Sequence, residues 1–183
     1  EMIRDDLIEV VEKYGDERRT KISLEEVDGS VDIADLITED LTVVTFSRDG
    51  YVKRTPLDTY RTQARGGRGV RGSEAKEGDV LKSLFVTSTH DYLLFFSNYG
   101  QVFWKKGFQV PEAGRSSKGR AITNLLKLRE GEEIHTILRV PEFDEERFIV
   151  FATRKGVVKK TKLEAYSRPK KGGIRAILVD EDD

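Results

Sequence analysis

The stretch Thr42-Val-Val-Thr-Phe-Ser-Arg-Asp-Gly50-Tyr-Val-Lys-Arg54 decides the fold, because it recurs twice further along the chain. The second copy is Tyr92-Leu-Leu-Phe-Phe-Ser-Asn-Tyr-Gly100-Gln-Val-Phe-Trp104, and the third is Phe148-Ile-Val-Phe-Ala-Thr-Arg-Lys-Gly156-Val-Val-Lys-Lys160. Each copy places a serine or threonine three residues before its central glycine and a valine two residues after it. The chain is therefore built from three repeats of about 50 residues each.

Each copy predicts a β-hairpin, because an apolar, β-rich run leads to a turn ending in glycine and a second run follows. Glycine supplies the positive φ that such turns need. A further strand is expected after an acidic turn in the first two repeats, at residues 80–86 and 134–140. A second glycine marks one more element at nearly fixed distance in each repeat: Gly69, Gly119 and Gly173. Four strands per repeat predict a propeller-like blade.

The N-terminus has a different pattern. Ile3, Leu7, Val10 or Val11, and Tyr14 follow helical spacing, and Gly15 is the expected C-cap, so an amphipathic helix is expected at residues 2–14. The whole chain is expected to be all-β, a partial propeller-like array of four-stranded blades with a short N-terminal α-helix. The expected segments are a helical segment at 1–22, a linker at 23–40, and a domain at 41–183 with blades at 41–90, 91–146 and 147–183, the last incomplete.

The composition excludes several classes of protein. The 183 residues include no cysteine, which excludes disulfides and thiolate metal sites. No run reaches the roughly 18 apolar residues that a membrane helix needs. The first residues lack the basic and apolar regions of a signal peptide. We expect a cytoplasmic protein without a membrane partner.

The formal net charge of −1 conceals an uneven distribution of charge along the chain. Residues 1–40 carry 14 acids against 5 lysines and arginines. The windows 48–72, 101–120 and 154–175 together contain 21 of the 32 basic residues and only 4 of the 33 acids. A basic segment that recurs at one phase of the repeat predicts a polyanionic partner.

The most specific motif is the heptad Gln63-Ala-Arg-Gly-Gly-Arg-Gly69. Its glycines allow the backbone to lie close to a phosphate chain, and its arginines can each donate two hydrogen bonds to phosphate oxygens. A solvated glycine loop is the alternative for the heptad on its own. The overlapping Gly67-Arg-Gly-Val-Arg-Gly72 matches a dinucleotide-binding pattern. We reject that site, because no apolar strand precedes the motif and the stretch after it is too short for a crossover helix.

The heptad resembles the gyrase A-box, whose pattern is Gln-x-Arg-Gly-Gly-Arg/Lys-Gly. Ala64 departs from the family, in which this position is often arginine, so one cation is absent. Gln109-Val-Pro-Glu-Ala-Gly-Arg-Ser-Ser-Lys-Gly119 and Lys170-Lys-Gly-Gly-Ile-Arg-Ala-Ile177 look like parts of the second and third blades of the gyrase A C-terminal domain. The helix with Tyr14-Gly-Asp-Glu-Arg-Arg-Thr20 resembles the end of the coiled-coil arm that precedes that domain.

The resemblance implies a β-pinwheel, six-bladed in the family, whose basic rim wraps DNA and supports ATP-dependent negative supercoiling by a type II topoisomerase. It implies no catalytic residue, metal or cofactor in this segment, because the strand-cleaving tyrosine and the sites for ATP and Mg²⁺ lie elsewhere in the holoenzyme. The implied partners are double-stranded DNA and the other gyrase chains, namely B subunits with a second A subunit in an A2B2 assembly. The residues expected to contact DNA are Gln63, Arg65, Gly66, Gly67, Arg68, Gly69, Arg71, Lys105, Lys106, Arg115, Lys118, Arg120, Lys159, Lys160, Arg168, Lys170, Lys171 and Arg175.

Three other functions compete with this one. The equivalent subunit of topoisomerase IV is the closest, but it usually carries a degraded heptad, and the near-complete heptad here favours gyrase. A β-propeller scaffold that binds an acidic protein is disfavoured by the arginines flanked by glycines. An independent enzyme is disfavoured because no catalytic cluster is visible and His90 and His135 are isolated.

The aromatic residues expected to fill blade cores are Phe46, Phe95, Phe96, Trp104 and Phe151.

Overall fold

The computed structural model describes residues 2–16, 33–60, 78–180 and 182–183. These residues belong to two compact units, Glu1–Ile33 and Ala34–Asp183. In the described part of the chain, no helix is long and apolar enough to cross a membrane.

The first unit contains the predicted helix, α1, which spans Met2–Tyr14 and confirms the expected bounds. Gly15 closes it, because its N–H donates to the carbonyl oxygen of Val11 at 2.8 Å and a Cβ there would lie 2.3 Å from that oxygen. The apolar residues at helical spacing are exposed: Ile3, Leu7, Val10, Val11 and Tyr14.

The second unit is built from short strands, as the repeats predicted. The strands are β1 (Leu41–Ser47), β2 (Tyr51–Pro56), β3 (Leu81–Ser88), β4 (Tyr92–Ser97), β5 (Gln101–Lys106), β6 (Arg120–Ala121), β7 (Ile134–Val140), β8 (Phe148–Ala152), β9 (Val158–Lys162) and β10 (Ile174–Arg175). Short 3-10 helices occur at Ile33–Leu36, Leu57–Thr59, Gly107–Gln109, Ile122–Asn124 and Leu163–Tyr166. The hairpins β1–β2, β4–β5 and β8–β9 coincide with the three sequence copies.

In the described part of the chain, the strands form three antiparallel sheets. The first has the order β3-β1-β2-β6, the second β10-β5-β4-β7, and the third consists of β8 and β9. Residues 51–52 of β2 pair with β6, and residues 101–102 of β5 pair with β10. The expected all-β array is confirmed, with four strands in each of the first two sheets and two in the third, which was expected to be incomplete.

The composition of each sheet differs from the expectation that one repeat supplies all four strands. The first two sheets each take three strands from their own repeat and the fourth from the next repeat, so β6 belongs to the first sheet although it lies within 91–146. The physical reason is that β2 and β5 present backbone groups at an open edge, and those groups need hydrogen-bond partners. The blade boundaries at 90 and 146 stay predictions.

The core lies between successive sheets. Each face of β4 contributes to a different cluster, because side chains alternate along a strand. Leu93 and Phe95 pack with Phe46 and Phe103 of one cluster, whereas Leu94 packs in the other. The prediction that aromatic residues fill the cores is confirmed for Phe46, Phe95 and Trp104, which are buried, and the rings of Phe96 and Phe151 meet edge-on at 5.4 Å beside the second cluster.

The hydroxyl three residues before each central glycine fixes the hairpin turn. Ser47 Oγ accepts a hydrogen bond from the N–H of Tyr51 at 3.0 Å, and Thr153 Oγ1 accepts one from Val157 at 3.1 Å. Ser97 Oγ also donates to the buried carboxylate of Glu132 at 2.6 Å. The repeated hydroxyl is therefore a structural residue that joins the hairpin to the acidic turn.

Acidic side chains also bind the backbone of the hairpin turns. Asp79 Oδ1 accepts the N–H groups of Asp49 at 3.0 Å and Val80 at 2.8 Å, and Asp183 Oδ1 accepts that of Lys155 at 2.8 Å. Burial raises the pKa of Asp79, but the bonds from Ser47, Asp49 and Val80 outweigh burial and lower it. The acidic turns seen in the sequence thus serve the fold.

Candidate nucleic-acid interface

The heptad and Arg71, which carried the sequence-based prediction for the first repeat, lie outside the described residues. Their assignment as DNA contacts stays a prediction for each of them: Gln63, Arg65, Gly66, Gly67, Arg68, Gly69 and Arg71. The basic segments of the second and third repeats are described.

We call residues 114–120 the second basic turn, since they hold three cations of the second repeat. The segment that leads into this turn is hydrogen-bonded to strand β2 of the first repeat. The N–H of Arg54 donates to Pro111 O at 2.9 Å, and the N–H of Ala113 donates to Arg54 O at 2.9 Å. The Arg54 guanidinium donates to Val110 O at 2.9 Å and pairs with the Glu112 carboxylate at 2.8 Å. That pairing engages the only acid of window 101–120.

Lys53 contacts the second basic turn from beneath. Its residue is 1% exposed, and its Nζ donates to the carbonyl oxygens of Gly114 at 3.1 Å, Arg115 at 2.7 Å and Ser117 at 2.6 Å. An ammonium has three donors and no acceptor, so these three carbonyls match its bonding capacity. The turn thus directs its carbonyls inward to a buried cation.

Gly119 brings the chain onto the edge of the first sheet. Its φ is +86°, and a Cβ there would lie 2.6 Å from Val52 O, so a side chain would collide with β2. Directly after it, Arg120 pairs with Val52 as the first residue of β6. Lys118 and Arg120 are exposed and Arg115 is half-buried, so the cations of this turn stand along the sheet edge.

The third basic turn, residues 168–175, repeats this arrangement on the second sheet. Trp104 Nε1 donates to Tyr166 O at 2.7 Å, and Gly173, with φ +71°, places its Cα where a Cβ would lie 2.8 Å from Val102 O. Arg175 then pairs with Gln101 as the last residue of β10. Four cations of this turn are exposed: Arg168, Lys170, Lys171 and Arg175. Both basic turns therefore lie at the same edge of successive sheets.

The lysines predicted on β5 and β9 have other partners. Lys106 Nζ donates to His90 O at 2.9 Å and lies 3.7 Å from the centre of the Tyr92 ring, and both Lys105 and Lys106 are half-buried. Lys159 Nζ donates to Ala176 O at 2.5 Å, although the residue is exposed.

Lys160 is exposed, and its Nζ lies 4.0 Å from the centre of the Phe148 ring. The basic turns are consequently better placed for a ligand than the strand lysines are. The assignment of Lys105, Lys106, Lys159 and Lys160 as DNA contacts stays a prediction.

The described residues offer no metal site. Among residues 2–16, 33–60, 78–180 and 182–183, no three histidines or carboxylates lie together in a group that could hold an ion. His90 sits in the turn between β3 and β4 with its Nε2 2.7 Å from Ile37 O, and His135 is exposed on β7. The expectation that this segment holds no ATP and no Mg²⁺ stays a prediction.

Sequence reasoning missed the role of Lys53 and Arg54. Both were counted only as members of the basic window 48–72, whereas the structure shows them binding the backbone of the next repeat. No local signal pointed to this role, because Lys53 is buried directly beside the buried Val52, where an alternating strand would expose it.

The three repeats correspond to a known family. The family model of the DNA gyrase C-terminal domain, described as a beta-propeller, matches residues 42–88, 91–141 and 147–183. The chain belongs to this family. Each matched segment contains one of the three hairpins, and the intervals fall at the turns that connect the repeats.

Members and structures of the DNA gyrase C-terminal domain family resemble the chain in sequence and in fold. The A subunit of DNA gyrase from Clostridium acetobutylicum is 46% identical over 182 residues, which are 100% of this chain and 22% of that protein. The corresponding protein of Aeromonas salmonicida is 49% identical over 183 residues, which are 100% of this chain and 20% of that protein. The chain thus spans about a fifth of the length of such relatives.

Two solved structures share the fold. The C-terminal domain of DNA topoisomerase IV superimposes with a TM-score of 0.67 at 28% identity, covering 80% of this chain and 44% of that one. The DNA gyrase A C-terminal domain gives a TM-score of 0.59 at 23% identity, covering 78% and 45%, and this likeness concerns the fold alone.

Proposed function

We propose that the chain is a noncatalytic DNA-binding and DNA-wrapping module of the A subunit of DNA gyrase, a type II topoisomerase. The observation that carries this proposal is the placement of two cationic turns at the same edge of successive sheets. Family membership and the gyrase A relatives support it.

The chemistry of the two turns suits the backbone of a nucleic acid. Arginine and lysine side chains flanked by glycines neutralise phosphates and position a duplex, whereas sequence readout requires side chains that reach base edges in a groove. Each neutralised phosphate releases counterions, so binding weakens steeply as salt rises. Bending a duplex along successive sheets costs about 1–6 kcal/mol for a short site, so contacts from several repeats must offset that cost.

The role in the whole enzyme follows from the relatives and belongs to the proposal. The wrapped DNA would be presented to a cleavage core in the rest of the gyrase A chain, and ATP with Mg²⁺ would be used by other parts of the holoenzyme. Two A and two B subunits would form an A2B2 assembly in the cytoplasm. The chain itself would contribute affinity and curvature.

Binding to a duplex of random sequence at a series of salt concentrations tests the proposal. If the seven cations in the two described turns each meet one phosphate, the log–log slope is about −6, at roughly −0.9 per phosphate. Replacing Lys170 and Lys171 by alanine should make the slope less negative by about 2. Replacing the exposed Lys127 and Arg129, which removes the same charge outside the basic windows, should leave it nearly unchanged. A flat plot for the wild type would contradict DNA binding.

The second candidate is the corresponding domain of topoisomerase IV, which is favoured by the TM-score of 0.67 to that structure. The heptad in the sequence and the gyrase A relatives favour the first candidate. Ligation of nicked circular DNA in the presence of the full-length protein separates the two, because a wrap changes the linking number of the closed circle and a simple bend does not. Unchanged linking number at saturating protein would favour the second candidate.

A further inference from the structure

The buried ammonium of Lys53 is a feature that the proposed function does not yet explain. We propose that Lys53 is a positioning residue for DNA binding, which fixes the second basic turn so that Arg115, Lys118 and Arg120 meet phosphates together. The inference rests on the proposed function. Lys53 itself makes no DNA contact, because it is 1% exposed and its three donors point to carbonyls.

The bonds of Lys53 specify the conformation of the turn. The N–H of Ser117 donates to Gly114 O at 3.1 Å and closes the turn. The ammonium donates to the carbonyl oxygens of Gly114, Arg115 and Ser117 of the same turn. A buried charge is very costly unless its hydrogen bonds are satisfied. The ammonium and the turn therefore require each other, and opening the turn leaves a buried cation without its acceptors.

Lys53 also supports the end of the turn. A Cβ at Gly119 would lie 3.0 Å from Lys53 Cβ, so the backbone of Gly119 packs directly on the lysine stem. Arg120 follows and joins β2 through β6. One side chain thus contacts the turn at its start and at its end, and the cations between these points have little freedom to diverge.

The other repeats use different side chains at the same position. Phe103 lies there in the second repeat, and its ring would be 2.9 Å from a Cβ at Gly173. Lys159 lies there in the third repeat and donates to Ala176 O. In each repeat, the side chain at this position contacts residues that come later in the chain. In the first two repeats these residues belong to the next repeat, and in the third they belong to the same repeat. An ammonium that binds several backbone carbonyls is found at the second basic turn.

Amide hydrogen exchange measures the positioning without DNA. In Lys53→Met, exchange at residues 114–120 should accelerate by about tenfold or more, because opening of the turn no longer leaves a buried cation without its acceptors. The amides of β4 and β7 should keep their protection. Lys82→Met is the matched control, since it removes one exposed lysine from β3, outside the basic turns. Unchanged exchange at residues 114–120 in Lys53→Met would overturn the inference.

A double-mutant cycle measures the link to DNA. Lys53→Met should raise the Kd for a duplex by at least about fivefold, and it should change the Kd by less than about twofold when Arg115 and Lys118 are already alanine. Equal factors in both backgrounds would mean that Lys53 acts independently of the turn and would overturn the inference. No binding by the wild-type chain would overturn the proposed function, and exchange would then decide only whether Lys53 fixes the turn.

A second variant covers the case in which Lys53→Met does not fold, as judged by circular dichroism. Thr55 is fully buried, and its Oγ1 donates to Ala113 O at 2.9 Å, directly before the turn. Thr55→Val removes this donor without changing any charge. It should accelerate exchange at 114–120 and raise the Kd in the same direction, by a smaller factor. No change in either quantity would overturn the inference.

Discussion

At Gly119 and Gly173 the missing side chain lets one repeat lie against the backbone of the repeat before it. Gly119 and Gly173 combine a positive φ with a close approach, since a Cβ would lie 2.6 Å from Val52 O in one case and 2.8 Å from Val102 O in the other. Both requirements exclude other residues. The second glycine of the second and third repeats is therefore needed because each repeat adds a strand to the sheet of the repeat before it.

Gly119→Ala should lower the free energy of unfolding by roughly 2 kcal/mol or more, because the new methyl group meets a carbonyl and the backbone conformation is strained. Urea denaturation of the chain measures this loss. Gly114→Ala in the same turn is the matched control, since its Cβ would have nothing within 4 Å. Equal midpoints for the two variants would contradict the role given to Gly119.

At the scale of elements, one carboxylate joins strands of two different sheets. Asp91 Oδ2 accepts Thr87 Oγ1 at 2.9 Å and the N–H of Ser88 at 2.8 Å at the end of β3, and it pairs with Arg139 Nε of β7 at 2.7 Å. The Asp91 side chain is 8% exposed. Burial raises its pKa, but the bonds from Ser88, Arg139 and Thr87 outweigh burial and lower it.

This carboxylate makes stability depend on pH with a definite sign. Its folded-state pKa is below the ordinary value of 3.8, so the stabilisation is present above that value and is lost as pH falls through the folded pKa. Asp91→Asn should lower the free energy of unfolding by about 2 kcal/mol at pH 7, and the difference should shrink below about pH 4. Urea denaturation across this pH range measures it. The exposed Asp58→Asn is the control, and a difference for Asp91→Asn that is independent of pH would contradict the assignment.

The hairpins and the helix could be predicted from sequence because their signals are local. Alternating apolar residues and a turn glycine fix β1 and β2, and helical spacing fixes α1. The glycines before β6 and β10 mark these two-residue strands in the sequence, but no local signal shows that their partners lie in the preceding repeat. For the same reason the buried position of Lys53 was not predictable, because its acceptors are 61 to 64 residues away along the chain.

At the scale of the whole molecule, the distribution of charge matters more than its sum. The net charge is −1, yet the basic windows recur at one phase of the repeat, and two of them are seen at corresponding sheet edges. The acids that balance them include Asp79, Glu132 and Asp183 of the acidic turns, which are engaged with hairpins. A polyanion that follows successive sheets would therefore meet cations repeatedly, as wrapping requires.

The heptad of the first repeat supplies the last prediction. In the full gyrase to which we propose that this segment belongs, replacing Arg65 and Arg68 by alanine should abolish DNA wrapping and negative supercoiling while leaving cleavage and relaxation largely intact. The heptad offers no nucleophile, metal ligand or general base, so it can bind phosphate but cannot perform the chemistry of strand cleavage. Two charge-assisted contacts are lost, each worth about 1.5–3 kcal/mol, and their total is comparable with the cost of bending a short site.

The wrap should therefore fail before binding does, because the cations of the second and third basic turns still attract DNA. Topology assays on the purified double variant measure supercoiling and relaxation side by side, with Lys127→Ala/Arg129→Ala as the control of equal charge outside the basic windows. Supercoiling at the wild-type rate in the heptad variant would mean that the heptad is not the wrapping clamp. Loss of supercoiling together with cleavage would instead indicate damage to the enzyme as a whole, because the contacts proposed for the heptad act on the path of the DNA and not on its backbone bonds.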